Sequence, residues 1–440
     1  MRRAFLVLTL CLSSSAQAQS YELYGAGPKT IAMAGAQGAS EDDFSATFYN
    51  PAMLKAGNVG FSFRWSKPFF TVSPDGDPIG AQKLEPRLPV DFAGWSFGFA
   101  APLFGVLKDH ATLGLAIFLP HRQVFRTIMI DEATPYFFRY DNAPARILIN
   151  FAASARPWKW LSIGGGAQVM SDYGGEANFT AVLGTTSPGR ITQRELSSEI
   201  KGVIAPLIGL ELGPFEQLPG PLSGFKAFLS FRGQLLAIYE LPINVDLGSF
   251  GALNVLVKGV SHFAPNNLSW GLSWSGLDGR LLLTADLSWE QWSEVNKHPL
   301  TADVSIGLGG TLIDLGFNPE ILSRPIDMGF TDTLTPRVAA EFRVIPKLPV
   351  RAGYGFRPTP APAQTGRTNF LDSATHIIGL GVAYEFDDPL KMARALAIDL
   401  GGQLQATSGG RVEKVQPNGV QNYTYGGTVL TLTAGLRYQW

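Results

Sequence analysis

Apolar and polar residues alternate along much of this chain with a period of two. In VLTLTAGLRYQW, Leu430, Leu432, Ala434, Leu436, Tyr438 and Trp440 fall on one face, and Thr431, Thr433, Gly435, Arg437 and Gln439 on the other. PVRAGYGFRP sets Val350, Ala352, Tyr354 and Phe356 against Arg351, Gly353, Gly355 and Arg357. PRVAAEFRV, NLSWGLSW, ALAIDLGGQLQ and FKAFLSFRGQLL repeat the scheme. Successive side chains of a β-strand point to opposite faces, so each segment predicts a strand with one apolar side and one small, polar or basic side. About fourteen such segments occur. Their cores lie at 58–70, 90–101, 111–120, 147–156, 161–171, 200–212, 225–236, 267–275, 280–292, 336–345, 349–357, 376–386, 395–406 and 429–440. Short turns such as SGLDGR, VIPKLP, ARPWKW and DDPLKMAR alternate with long connections at 72–89, 121–146, 172–199, 237–266, 293–335, 358–375 and 407–428.

The character of the two faces decides what the strands build. A soluble sandwich also alternates, but it does not usually set arginines on one face of several strands while Leu, Trp and Tyr hold the other. Charged residues make up 16% of the chain, against roughly 25% in ordinary soluble domains. After the first residues no stretch approaches the ~20 apolar residues that a spanning helix needs. The membrane architecture left is a closed barrel, with lipid outside and a wet or plugged bore inside. The prediction is an all-β fold, a transmembrane antiparallel barrel of about 14 strands in an outer membrane. An even strand count puts both chain ends on the periplasmic side, with short periplasmic turns and long extracellular loops. The balance of 35 basic and 36 acidic residues gives no reason to expect nucleic acid as a partner.

The start of the chain does not alternate. MRRAFLVLTLCLSSSAQAQS combines two arginines, a short apolar run and small residues ending in Ala16-Gln17-Ala18, which reads as an export signal over residues 1–18. Cys11 is the only cysteine and lies inside that signal, so the exported chain has no thiol for a disulfide, a metal site or a nucleophile. Residues 19–57 are rich in Gly and Ala, and 58–440 form the barrel. A barrel this wide cannot be filled by its own side chains, so the leading segment is expected to fold inside as a hatch. Pro51 fixes its own φ and holds Asn50 out of the helical region, while the Asn50 side chain can bond nearby backbone. Asn50, Pro51 and Ala52 are therefore the candidate hatch turn, although an ordinary surface turn fits the same residues.

The run from Gly25 to Gly57, with Asp42-Asp43 and Asn50-Pro51-Ala52, resembles the hatch of the FadL/TodX-type outer-membrane transporters, the OMPP1 family. ADLSWEQWSEV with Trp289 and Trp292, DTLTPRVAAEF followed by LPVRAGYGFRPTPAP, NFLDSATHIIGLGVAYEF and the terminal Trp440 resemble further segments of that family. Met53 after the triplet, and Ala34-Gly35 where paired glycines are common, depart from it. The resemblance implies a monomeric barrel that takes up hydrophobic molecules, such as long-chain fatty acids, passively. It implies a loop groove, an internal pocket and hatch-gated lateral release, with outer-membrane lipid as surroundings and no cofactor. VFRTIMI, YFF, FGALNVLV and IGLGGTLIDLGF in the long connections supply the greasy surface of a groove, or of a lid. It also implies a kinked third strand, for which Gly114 to Pro120 is the candidate wall opening; an ordinary strand end at Pro120 is the plainer reading. If the ligand is a carboxylate, Arg351 and Arg357 are the candidate anchors.

Most inward charges by this register (Lys226, Arg232, Asp286, Glu290, Arg337, Glu341, Arg343, Arg351, Arg357, Asp399 and Arg437) are expected to pair with one another or with the hatch. The five histidines fall at His110 in a turn, at His121, His262 and His298 in or beside long loops, and at His376 on an inward strand start. None has a convincing nucleophile beside it, and no metal spacing or phosphate loop is present, so an enzyme is not expected. A general diffusion porin or a purely structural outer-membrane barrel remains the alternative.

Overall fold

In the computed structural model, residues 12–13, 20–36, 43–76, 84–108, 110–121, 130–131, 134–141, 146–182, 190–215, 223–246, 251–298, 301–308, 328–366, 368–389, 395–415 and 421–439 are described. Most of the export signal, residues 37–42, much of VFRTIMI and IGLGGTLIDLGF, and Trp440 lie outside them.

The wall is a closed antiparallel barrel of fourteen strands. They are β1 (Asn58–Asp75), β2 (Phe92–Pro102), β3 (Ala111–Pro120), β4 (Leu148–Trp158), β5 (Leu161–Val182), β6 (Arg190–Leu212) and β7 (Phe225–Arg232). The second half is β8 (Asn266–Gly276), β9 (Leu281–Gln291), β10 (Thr333–Ile345), β11 (Leu348–Arg357), β12 (Thr375–Phe386), β13 (Leu396–Thr407) and β14 (Asn422–Gln439). Each coincides with one of the expected segments. The ring closes where β1 pairs with β14, from Asn58↔Gln439 to Asp75↔Asn422.

The outer face is the apolar one. Leu380, Val338, Leu400, Leu432, Phe151 and Ile204 are exposed, while Arg351, Glu341, Asp399, Thr431, Gln405 and Gln168 are buried toward the bore. At the β4–β5 turn, Trp158 and Trp160 stack with ring centroids 5.8 Å apart, in the manner of an interfacial aromatic girdle.

Three features depart from the sequence expectation. The wall strands run into the expected connections 72–89, 172–199 and 407–428, to Asp75 in β1 and Val182 in β5 and from Arg190 in β6 and Asn422 in β14. His376 points outward, not into the bore, and its Nδ1 lies 2.8 Å from the Tyr354 hydroxyl. The 237–266 connection is not a loop. The seventh strand stops at Arg232, and the chain leaves the wall to form an interior hairpin, Leu235–Asp246 with Gly251–Ala264, before β8 resumes at Asn266. The hairpin is extended by Thr301–Leu308 on one side and by the outer end of β5 on the other. Apolar alternation alone cannot distinguish a strand that faces lipid from one that crosses the bore.

Candidate functional site

The N-terminal segment lies against inward-facing residues on every side of the barrel. It consists of three short helices, α1 (Ser20–Tyr24), α2 (Pro28–Ala32) and α3 (Ala46–Tyr49), and a 3₁₀ turn, Pro51–Met53. None is long enough to be stable alone in water, so the wall must supply the partners. Those partners are polar side chains reaching hatch carbonyls. Gln405 donates to Leu23 O at 2.7 Å, Gln403 to Ile31 O at 3.3 Å, Ser162 to Ala52 O at 2.5 Å and Ser230 to Tyr49 O at 2.6 Å. Arg64 donates to Gly25 O, its guanidinium lying over the rings of Tyr24 and Phe118.

Asn50, Pro51 and Ala52 form the turn that their chemistry predicts. Asn50 is extended (φ −159°, ψ 99°), as Pro51 requires, and its Oδ1 accepts from Ala52 N at 3.2 Å. The side chain caps the 3₁₀ turn and also donates to Leu210 O at 3.4 Å. The turn presses on the inner face of β5 and β6 where they carry Gly164 and Gly209. A Cβ at Gly164 would overlap the Pro51 backbone, and one at Gly209 the Asn50 side chain. The same device recurs across the bore, where Gly353 and Gly379 of β11 and β12 lie directly against the backbone of Met33 and Ala32. These inward glycines were not singled out from the sequence. The signal that finds them is a glycine on the polar parity of several strands.

Between the N-terminal segment and β7–β10 the contact is polar. A small cavity is bordered by Glu22, Phe48, Tyr49, Arg232, Asp286 and Arg337, among others. Arg232 pairs with Glu22 at 3.2 Å and its guanidinium sits 4.1 Å from the Phe48 ring centroid. Arg337 donates to Ser288 at 2.8 Å.

Above the hatch lie two apolar clusters. The lower includes Tyr21 and Phe48 of the hatch, Phe118, Leu148, Met170 and Ala205 of the wall, and Leu235, Ala237 and Ala264 of the hairpin. The upper includes Phe70, Tyr136, Phe137, Phe138, Val260, Phe263, Trp292 and Phe330. Tyr136-Phe137-Phe138 is thus packed inside, held by parallel pairing with Phe370–Leu371. The hairpin and α1 contribute to both clusters, Leu23 and Tyr24 of α1 lying in the upper one, and Phe92 packs against both. Phe263 and Leu236 belong to the upper one, Ala264, Ala237 and Leu235 to the lower.

The two candidate anchoring arginines are brought to the bore and are both engaged. Arg351 bonds Glu341 and Asp399 at 2.6 Å each, and Arg437 reaches the same Asp399 at 3.5 Å. It is therefore the centre of a wall network, which is the structural role expected of inward charges. Arg357 donates to the Tyr140 hydroxyl at 2.6 Å and to Gln405 at 3.2 Å, on the underside of the upper cluster. Arg139, not anticipated, is fully buried between Asp372 at 3.0 Å and Glu290 at 3.9 Å. Gly114 faces Thr47 and Leu54 of the hatch. The third strand is paired without a register shift on both sides, to Pro120↔Gly94 and Phe118↔Leu148. Outside the barrel, the ammonium of Lys414 bonds the carbonyls of Gln364, Gly366 and Thr368, and burial lowers its pKa to about 8.

No protein-family model matches the chain. Alkane uptake protein A of Marinobacter nauticus is 22% identical over 408 residues, 87% of this chain and 82% of the relative. Among solved structures, a FadL homologue of Pseudomonas aeruginosa superposes with a TM-score of 0.56 at 14% identity, covering 98% of this chain and 99% of its own. The chain shares the barrel fold of that structure. The toluene transporter TodX of P. putida superposes on it with a TM-score of 0.55 at 13% identity, over 95% and 99% of the two chains. These relatives are named for transport and not for catalysis.

Proposed function

We propose that this barrel is a passive, monomeric outer-membrane channel for hydrophobic molecules, gated by the N-terminal hatch. The observation that carries the reading is a continuous apolar interior, running from the upper aromatic cluster past the hairpin residues to the cluster that includes Tyr21 and Phe48 of the N-terminal segment. A greasy molecule is desolvated in the upper cluster, passes the hairpin and comes to rest on Tyr21 and Phe48 of the hatch itself. Movement of α1 and α3 is then coupled to occupancy of the lower chamber, because those helices form its floor. Fatty acids, alkanes and aromatic hydrocarbons all fit such a path.

Lateral release is favoured at the β6–β7 seam and not at Gly114 to Pro120, where the ladder is unbroken. β6 and β7 pair only over Ala227–Arg232 and Leu207–Leu212. One further bond, Gly233 N to Pro206 O at 2.9 Å, ends the ladder before the chain turns inward. Pro206 has no N–H, which suits an unpaired edge. Pro206 stands six residues above the periplasmic end of β6 at Leu212, ~20 Å along the strand. With a strand tilt of about 40° that is ~15 Å of height, so the seam parts near the mid-plane of the membrane, with Ala205 of the lower cluster just inside it.

Uptake of labelled n-hexadecane and palmitate by cells expressing the protein tests the reading. Loss of uptake is expected on Pro51→Ala or on deleting residues 19–30. Normal rates in both variants would refute hatch gating. A fatty alcohol bearing a photoreactive group is expected to label Ala205–Ile208 and Gly233–Ala237; labelling confined to 112–120 returns release to the third strand. The polar space beside Arg232 and Arg337 favours one second reading, a narrow porin. Rapid swelling of protein-containing liposomes in sugars would establish it.

A further inference from the structure

The lower chamber contains polar groups that the protein itself does not use. His262 lies on the interior hairpin, opposite Ala237 and two residues before Ala264. Cross-strand partners and i, i+2 neighbours share a face, so the imidazole belongs to the lower-chamber side with those two residues. It is 1% exposed, and neither ring nitrogen has a hydrogen-bond partner among the described residues. Burial and the neighbouring Arg146 guanidinium keep the ring neutral. Arg146 is itself occupied by Asp172, at 2.7 Å. A neutral imidazole offers one donor and one acceptor. On the adjacent wall, two residues from Leu148 and Met170 of the same chamber, Gln168 donates to Asn150 at 2.8 Å and both are fully buried. That leaves Asn150 Nδ2 and Gln168 Oε1 without partners. Exchanging the amide assignments leaves one donor and one acceptor spare all the same. Buried polar groups are almost always satisfied, so three such side chains around one apolar cluster mark a place where something else supplies the bonds.

We propose that His262, supported by Asn150 and Gln168, is a recognition point inside the lower chamber for apolar molecules that carry a hydroxyl or carbonyl group. A hydroxyl both donates and accepts, which matches what the ring and the amides offer; a carbonyl uses the donors alone. A cationic head is disfavoured by Arg146. A bare hydrocarbon reaches the chamber but leaves these groups unpaired, so it is held less well than an oxygenated chain of the same length. The proposal rests on the uptake reading above and specifies which molecules that path prefers.

The test compares uptake of n-hexadecan-1-ol and n-hexadecane by cells expressing the full chain or its variants. Wild type is expected to favour the alcohol. His262→Leu is expected to lower alcohol uptake about tenfold while changing hexadecane uptake less than about twofold. His262→Gln, which restores a donor and an acceptor, is expected to recover most of the loss and serves if the leucine variant does not assemble. Equal effects on both molecules, or none on either, overturn the recognition role and leave the uptake reading standing. Failure of the wild type to take up either molecule above empty cells overturns both.

Discussion

The hatch meets two unlike walls. At β5–β6 and at β11–β14 it lies on glycine, and backbone meets backbone: Pro51 on Gly164, Met33 on Gly353, Ala32 on Gly379, Pro28 on Gly401. At β7–β10 it meets Arg232, Asp286 and Arg337 beside a small polar cavity. The first contact is a shape fit, short in range and intolerant of one added carbon. The second is an array of charges that water can solvate as the surfaces part. The comparison teaches that the glycine faces hold the segment in register, and under the proposed gating the charged face is where it would withdraw first.

The largest expected effect comes from adding volume on the glycine side. Gly353→Val places carbon inside the Met33 backbone, so the hatch is unseated while the fourteen strands still assemble. Protein-containing liposomes then swell in sugars; a variant as tight as wild type breaks the comparison. On the charged side, Arg232→Leu strands Glu22 in a buried site. Removing one partner of such a pair costs about 3–5 kcal/mol. The hatch is expected to lose protease protection at α1 while residues 28–36 stay protected, and loss at both would make the two walls equivalent. A smaller effect attends Asn50→Ala, which removes the cap on Ala52 N at about 1 kcal/mol, read as a lower urea midpoint for hatch release.

The smallest effect is expected far from both walls, at Lys414. Its folded pKa, about 8, lies below the ordinary 10.5. The unfolded chain therefore binds the extra proton between those values, and docking of the 364–368 segment tightens as pH rises from 8 to 10.5. The protection factor of Gly366 and Thr368, exchange taken relative to the intrinsic amide rate at each pH, is expected to rise over this window in wild type and to stay flat in Lys414→Met. A wild-type profile without slope would show that the three carbonyl acceptors offset the burial.

Strand count, the closed barrel and the lipid-facing residues were legible because lipid imposes one simple rule, period two with an apolar outer face, on every wall strand. The Asn50-Pro51 turn was legible for a local reason as well: Pro51 restricts its neighbour whatever the surroundings. The pairing of inward charges was foreseen in kind but not in partner. Arg351 looked available for a carboxylate, and its engagement depends on the order of strands in the ring, with Glu341 on neighbouring β10 and Asp399 beyond β12 on β13, 48 residues away in sequence.

What the chain determined alone is therefore the solvent of each face and the conformation of a few constrained turns, since both follow from side-chain chemistry within a few residues. Tertiary structure decided the rest. It turned 235–264 from a loop into a hairpin that contributes to both apolar clusters, made glycines on distant strands into a seat for the N-terminal segment, and set His262, Asn150 and Gln168 around the lower cluster. Those outcomes depend on where the ladder of β6 and β7 stops and what the bore has space to hold, and no local pattern of residues encodes either.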